Sequence, residues 1–203
     1  GLRHPDNPKT SQSSIIRSPL NTNKMKKALV IGLISLITSC SKIYPSKDDF
    51  LTIPKTQYSG NELRIDGFFY RTWENGTKFS DITFLYNDGV LFQGNGASDL
   101  SQLMEYAQET LLHHDQIKDK KAFWGLFLVK DNKIMFERWK ATQSGYLVYR
   151  EEGVIIDDTT FVMTEVSRIN HGIKTETKPI EWTYYFCEFS AKPDSTNTVI
   201  GNY

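Results

Sequence analysis

Residues 82–93 read Ile-Thr-Phe-Leu-Tyr-Asn-Asp-Gly-Val-Leu-Phe-Gln, a stretch that has the pattern of a β-hairpin. Ile82, Phe84 and Tyr86 alternate with other residues, as in a strand that buries one of its faces. Asn, Asp and Gly tolerate positive φ angles, so residues 87–89 suit a tight turn, after which residues 90–93 return as the second strand. The stretch predicts a mainly β fold.

Strand patterns recur on both sides of this hairpin. We predict further strands at residues 63–73, 123–129, 133–140, 146–150, 153–156, 160–166 and 182–189, with turns at 131–132 and 157–159. The last strand carries large apolar side chains on both faces, which is typical of a strand that is buried on two sides or lines a cavity. Residues 170–179 are polar and predict a loop or hairpin tip.

One helix is predicted between the strands, at about residues 99–114. Apolar residues recur there at the spacing of one helix face: Leu100, Leu103, Met104, Ala107 and Leu111. Asp99 can cap the first turn, and Gln102 follows it at capping-box distance. The apolar stripe must be buried, either against the strands or over one mouth of a barrel, where the helix would act as a lid or plug.

Eight or nine short strands in sequential order, joined mostly by hairpins, indicate antiparallel pairing. An up-and-down barrel with one inserted helix accommodates them without leaving sheet edges exposed. A β-sandwich of two packed sheets is the alternative.

The segment at residues 25–40 has the features of an export signal. A methionine and two lysines precede an apolar run, Ala28 to Ile37, which is too short to span the roughly 30 Å hydrocarbon core of a bilayer. The run ends in Ile37-Thr38-Ser39-Cys40, which resembles the bacterial lipobox. The resemblance implies cleavage before Cys40 and attachment of acyl chains such as palmitate to that cysteine, which would anchor the chain to a membrane.

Four regions follow from this interpretation. Residues 1–24 fit no targeting pattern and are read as an upstream non-native or disordered segment. Residues 25–39 are the lipoprotein signal peptide, residues 40–60 a lipidated tether containing two prolines, and residues 61–203 the β domain.

Three motifs of the β domain resemble those of small Bacteroidota lipoproteins with lipocalin-like barrels. They are Phe-Trp-Gly-Leu-Phe at 123–127, Ile-Ile-Asp-Asp-Thr-Thr-Phe at 155–161 and Lys-Pro-Asp-Ser-Thr-Asn at 192–197. The resemblance implies a lipocalin-like barrel of eight or nine strands and a location in the cell envelope. The expected membrane is the outer one, at its periplasmic face or at the cell surface.

Charge argues against a nucleic-acid partner. From Cys40 onward the chain carries 18 basic and 23 acidic residues. A mildly acidic domain has no electrostatic attraction for phosphate backbones.

Recognisable catalytic and metal-binding motifs are absent from the sequence, so we expect a non-catalytic protein without cofactor or metal. Asp157-Asp158 could bind a cation but reads better as a turn. His113-His114 lie about 100° apart on a helix and cannot easily reach one ion. Ser195 lacks the glycines of a nucleophile elbow.

The predicted function is that of a membrane-anchored envelope lipoprotein that binds a small apolar or amphipathic ligand or an envelope protein. The alternatives are a hydrolase acting on envelope glycans and a structural or assembly component without a small ligand. Tyr146, Tyr184 and Phe186 are the candidate ligand-binding residues, because a tyrosine offers both an apolar ring and a hydroxyl to an amphipathic ligand.

Overall fold

The computed structural model describes residues 48–72 and 79–201. The chain divides into two compact units, residues 1–44 and 45–203, and all described residues belong to the second. The predicted signal peptide, the lipid attachment site Cys40 and residues 1–24 therefore lie outside the described residues.

Eight antiparallel strands form a closed barrel in sequential order, with the last strand pairing back onto the first. The strands are β1 Gly67–Thr72, β2 Phe79–Leu85, β3 Val90–Gln93, β4 Trp124–Lys130, β5 Lys133–Thr142, β6 Gly145–Asp157, β7 Thr160–Asn170 and β8 Ile173–Glu188. The predicted up-and-down barrel is confirmed, and the sandwich alternative is not adopted.

One α-helix, α1 at Leu100–Leu112, lies between β3 and β4 in the described part of the chain. The side chain of Asp99 accepts a hydrogen bond from the Gln102 amide at 2.9 Å, which confirms the predicted cap. Leu103 and Ala107 are fully buried in one cluster with outward-facing residues of β2 and β3. The helix thus packs against the outer wall of the barrel, and its predicted placement as a lid over one mouth is wrong.

Tight turns connect the hairpins. Asp131 and Asn132 have φ angles of 53° and 60° between β4 and β5, as a two-residue hairpin turn requires. Of the two alternatives predicted for residues 170–179, the structure has the hairpin tip and not the loop, because β7 continues to Asn170 and β8 begins at Ile173. His171 and Gly172, with φ angles of 47° and 84°, form the turn. Polar side chains suit this part of β8 because most of its first residues are exposed on both faces.

The barrel has two different ends, which we name by what lies there. The "capped end" carries the β2–β3, β4–β5 and β6–β7 turns at residues 86–89, 131–132 and 158–159. The "cavity end" carries the β5–β6 and β7–β8 hairpins at residues 142–145 and 170–173. Side chains alternate along each strand, so one apolar cluster fills the interior and another covers the outer wall beneath α1.

The segment before β1 binds the barrel along its whole length. Asp49 lies beside Tyr146 at the cavity end, where its amide donates to the Tyr146 carbonyl at 2.9 Å. The next residues run down the outer face of β5, where the Trp139 indole donates to the Asp49 carbonyl at 2.8 Å. Glu137 then accepts the amides of Thr52 at 2.5 Å and Ile53 at 3.0 Å. We call residues 49–53 the "arm"; this part of the predicted tether belongs to the folded domain.

Glu137 holds the arm through a buried ion pair. Its carboxylate is fully buried and receives the guanidinium of Arg150 at 2.5 Å, and Arg150 also donates to the Thr52 hydroxyl at 2.8 Å. A buried carboxylate is stable only when its lone pairs are satisfied, and here Arg150 and the arm satisfy them together.

The tail after β8 contacts the capped end and then the outer wall. The Lys192 ammonium donates to the carbonyls of Ile65 and Leu85, and it lies over the ring of Tyr86. Further along, Ile200 is fully buried in the outer cluster. The tail thus covers apolar surface that the sheet alone would leave exposed.

Candidate ligand site at the cavity end

The interior near the capped end is filled by aromatic side chains. Phe69, Phe136 and Phe161 are almost completely buried. The rings of Phe69 and Phe161 lie 4.9 Å apart, and those of Phe161 and Tyr184 stack at 4.7 Å. Rings at these spacings leave no room for an apolar ligand in this half of the barrel.

A crossing segment closes the capped end from outside. The Tyr58 amide donates to Asn87 in one turn at 2.7 Å, and the Arg64 amide donates to Asp158 in another at 2.8 Å. Leu63, between these two attachments, is buried in the interior cluster. We call residues 58–64 the "cap", because they bridge two turns and seal this end.

The opposite half of the interior holds a cavity of about 260 Å³. Its lining combines charged, aromatic and aliphatic side chains from β5 to β8: Arg138, Lys140, Tyr149, Glu151, Val166, Glu176, Lys178 and Trp182. This volume lies just below the usual range of small-molecule pockets, which are mostly apolar, and the charged lining favours a small, polar ligand.

Strand alternation explains why charges line one half of the interior. On β5 the inward positions 134 and 136 are apolar, and the next two inward positions are Arg138 and Lys140. On β6 the order is reversed, since Tyr149 and Glu151 come before the apolar Ile155. Because these neighbouring strands are antiparallel, their polar halves meet at the cavity end.

Two partly buried ion pairs lie near the cavity, and one of them, Arg138 with Glu151, belongs to its lining. Arg138 donates to one oxygen of Glu151 at 2.7 Å, and Arg71 donates to Asp81 at 2.9 Å. Burial raises the pKa of Asp81, while the neighbouring Arg71 and Arg138 oppose that rise. The guanidinium of Arg71 lies 4.0 Å from the ring centre of Trp182, which fixes one aromatic wall of the cavity.

Two buried oxygens in this region have no hydrogen-bond partner among the described residues. They are Oε2 of Glu151, in the cavity lining, and the hydroxyl of Tyr184 beneath it. Burial raises the pKa of Tyr184 above its usual range, and the charge of Glu151 adds to the rise. Buried polar atoms are nearly always paired, so this arrangement favours a bound group that supplies a donor.

The structure separates the three residues predicted to bind a ligand. Tyr184 lies in the interior beneath the cavity, and Phe186 lies further toward the capped end, under the guanidinium of Arg64 at 4.4 Å. Tyr146 packs against the outer cluster. Position 146 has the opposite parity from the inward-facing Tyr149 and Glu151, so its side chain leaves the barrel.

The other residues considered in the sequence analysis make contacts that stabilise the fold. His114 is buried against Trp124 at a ring distance of 5.8 Å, and burial lowers its pKa. Asp157 accepts the amide and the hydroxyl of Thr159, as the turn interpretation requires. Ser195 donates to Asp88. Within residues 48–72 and 79–201, no group of three or more His, Cys, Asp or Glu residues could hold a metal ion.

The sequence analysis did not single out Arg138 and Lys140, in the predicted strand at 133–140, or Lys178, in the predicted loop or hairpin tip at 170–179. The available indication was an arginine at position 138 on the same strand face as Ile134 and Phe136. A charge that continues an apolar face points into the protein and requires a partner there. Glu151 and Glu152, which are adjacent on β6, face opposite sides: Glu151 lines the cavity, and Glu152 pairs outside with Lys174 at 3.1 Å.

Comparisons with protein-family models, with curated proteins and with solved structures each gave no match. In the part of the chain that the structure describes, no helix has the length and apolar character needed to cross a bilayer.

Proposed function

We propose that the chain is a lipid-anchored, non-catalytic binding protein of the bacterial cell envelope that takes up a small ligand at the cavity end of its barrel. The cavity of about 260 Å³, with the Arg138–Glu151 ion pair in its lining and its aromatic wall, carries the binding half of the proposal. The filled capped end argues for a ligand held at the mouth, with polar groups in reach of the charged lining.

The anchoring half of the proposal rests on the sequence. Residues 37–40 have the order of a lipobox, and the apolar run before them is shorter than a membrane span. Several acyl chains on one cysteine, at about 0.8 kcal/mol per buried methylene, give a stable anchor. The outer membrane is the proposed location.

Ligand uptake is tested with an aromatic, environment-sensitive sulfonate dye. We expect saturable binding of one dye molecule per chain. Val166→Trp places an indole in the cavity and should abolish this binding, whereas Val162→Trp on the same strand places the indole elsewhere and should leave it unchanged. Dye binding that survives Val166→Trp in a folded protein would contradict uptake at this site and favour a partner-binding or structural role.

Anchoring is tested by replacing the modified cysteine. Cys40→Ala should move the protein from the membrane fraction to the soluble envelope fraction, and mass analysis of the wild type should show acyl chains. An unmodified wild type, together with a variant that still sediments with membranes, would exclude the lipoprotein interpretation.

A further inference from the structure

The rim of the cavity carries two positive charges without an acidic partner. Lys140 on β5 and Lys178 on β8 are exposed, and neither forms an ion pair within the described residues. The rim acid Glu176 is already paired with Arg168 at 3.3 Å. An anionic group of a ligand would therefore meet attraction at this mouth, although the domain as a whole is acidic.

Deeper in the cavity the lining offers a hydrogen-bond acceptor, whereas the rim offers positive charges. Oε1 of Glu151 receives Arg138, and Oε2 has no described donor. The guanidinium of Arg138 would repel a second cation at Oε2. Burial acts to lower the pKa of Arg138, but Glu151 and other nearby groups together outweigh it and the pKa is raised, so the guanidinium stays charged. A neutral hydroxyl satisfies this oxygen without adding charge.

The walls between the rim and this acceptor are aromatic. Trp182 and Tyr149 both line the cavity, and Lys140 lies 5.5 Å from the centre of the Tyr149 ring. Flat apolar ring faces complement the C–H faces of a compact ring such as a sugar, while the polar groups at either end orient it.

We infer from this order of charges that the ligand is a small hydroxylated acid of the sugar-acid class. Its carboxylate lies toward Lys140 and Lys178, and one hydroxyl donates to Oε2 of Glu151. The inference rests on the proposed function, because it specifies the ligand of the same cavity.

The test compares two sugars that differ in one group. Isothermal titration of the full chain in neutral detergent is carried out with D-glucuronate and with D-glucose. We expect saturable binding of glucuronate at least about tenfold tighter than that of glucose, the effect of one charge-assisted hydrogen bond. Rising salt should weaken glucuronate binding and leave glucose binding unchanged.

Matched variants separate the rim from the deeper acceptor. Lys178→Gln should reduce glucuronate affinity about fivefold to tenfold, whereas Lys174→Gln, on the same strand but paired with Glu152 outside the cavity, should leave it unchanged. Glu151→Gln replaces one acceptor oxygen of the carboxylate with an NH₂ donor and should weaken the binding of both sugars about tenfold. Glu176→Gln is the control: it also removes one negative charge from the cavity lining, but it should not weaken the binding of glucuronate.

The outcomes distinguish this inference from the proposed function. Tighter glucuronate binding that depends on Lys178 supports it. Equal binding of the two sugars, or binding of neither while the sulfonate dye still binds, overturns the ligand class and leaves small-ligand uptake standing. Failure of both the dye and the sugars overturns the two together. Lys178 is exposed, so its variant remains informative even where Glu151→Gln fails to fold.

Discussion

The two ends of the barrel are made by the same eight strands, yet their interiors differ in filling and in charge. At the capped end, stacked aromatic rings occupy the space and the cap closes it, with the Tyr58 hydroxyl accepting the Leu63 amide at 2.7 Å. At the cavity end the inward residues are charged and leave an open volume of about 260 Å³. One half of the interior thus stabilises the fold by close packing, while the other half leaves room for a ligand.

The largest expected effect is in the filled half. Phe161→Ala removes a fully buried ring that touches Phe69, Phe136 and Tyr184, so unfolding should become easier by about 3–5 kcal/mol. Val166→Ala at the cavity should cost less than about 1 kcal/mol, because its side chain is only partly buried. Chemical denaturation measures both, and equal costs would remove the proposed distinction between the halves.

The second effect concerns the arm that runs between the ends. Glu137→Gln leaves Arg150 without its main partner and weakens the hold on Thr52, which should cost about 2 kcal/mol. Hydrogen exchange at the Thr52 and Ile53 amides should accelerate, while dye binding at the cavity stays unchanged. Glu165→Gln, which breaks a partly exposed pair with Lys174, is the control, with an expected cost of about 0.5 kcal/mol. Loss of dye binding in a folded Glu137→Gln protein would show that the two ends are coupled.

Much of the fold could be predicted because it is encoded locally. The turn at Asp131-Asn132 and the cap of α1 at Asp99 depend on residues within a few positions of each other. The arm could not be predicted, since Glu137 binds Thr52 at a separation of 85 residues. In the sequence Glu137 has the appearance of a solvent-facing charge, and only the arm that covers it makes it buried.

The candidate site was harder to predict than the fold. Tyr184 lies in the interior, in a strand whose apolar residues on both faces could be recognised in the sequence, but its role as a ligand-binding residue stays a prediction. Arg138 and Glu151 form an ion pair across the neighbouring strands β5 and β6, and the pattern of a single strand does not reveal such a pair. Tyr146 was misplaced because an aromatic residue near a strand end satisfies either face equally well.

A third effect on stability is smaller and has opposite signs for two tyrosine hydroxyls, one beneath the cavity and one in the cap. Tyr184→Phe removes a buried hydroxyl that has no described partner, so we expect a gain in stability of about 1 kcal/mol. Tyr58→Phe removes a hydroxyl bonded to both the amide and the carbonyl of Leu63, so a loss of about 1 kcal/mol is expected. Thermal unfolding of the two variants decides the matter; a destabilised Tyr184→Phe protein would mean that its hydroxyl is satisfied in the unliganded molecule.

The smallest effect is the pH response of one aspartate at each end. Burial raises the pKa of Asp81 at the cavity end, and hydrogen bonds from Thr159 lower that of Asp157 at the capped end. The contribution of Asp81 to stability is therefore present below its usual pKa of 3.8 and lost as pH rises through the raised value. That of Asp157 is present above 3.8 and lost as pH falls through the lowered value.

Carboxyl titration by NMR checks these opposite shifts. Asp81→Asn should flatten the fall of stability with rising pH just above 3.8, and asparagine tolerates the φ of 54° at that position. Asp157→Asn should instead weaken the loss of stability on acidification. Titration of Asp81 below 3.8 would show that the ion pair with Arg71 outweighs its burial.

The arm has a mechanical consequence. Residue 48 lies beside Tyr146 at the cavity end, but the cap that the arm leads to lies at the other end. A force applied at residue 48 would first load the contacts of Asp48 with Lys121 and the Tyr146 amide, then the bonds of Asp49 to Tyr146 and Trp139, and last the carboxylate of Glu137. Because these contacts are arranged in series along the wall, we expect them to break one after another, and the arm to detach before a force reaches the cap.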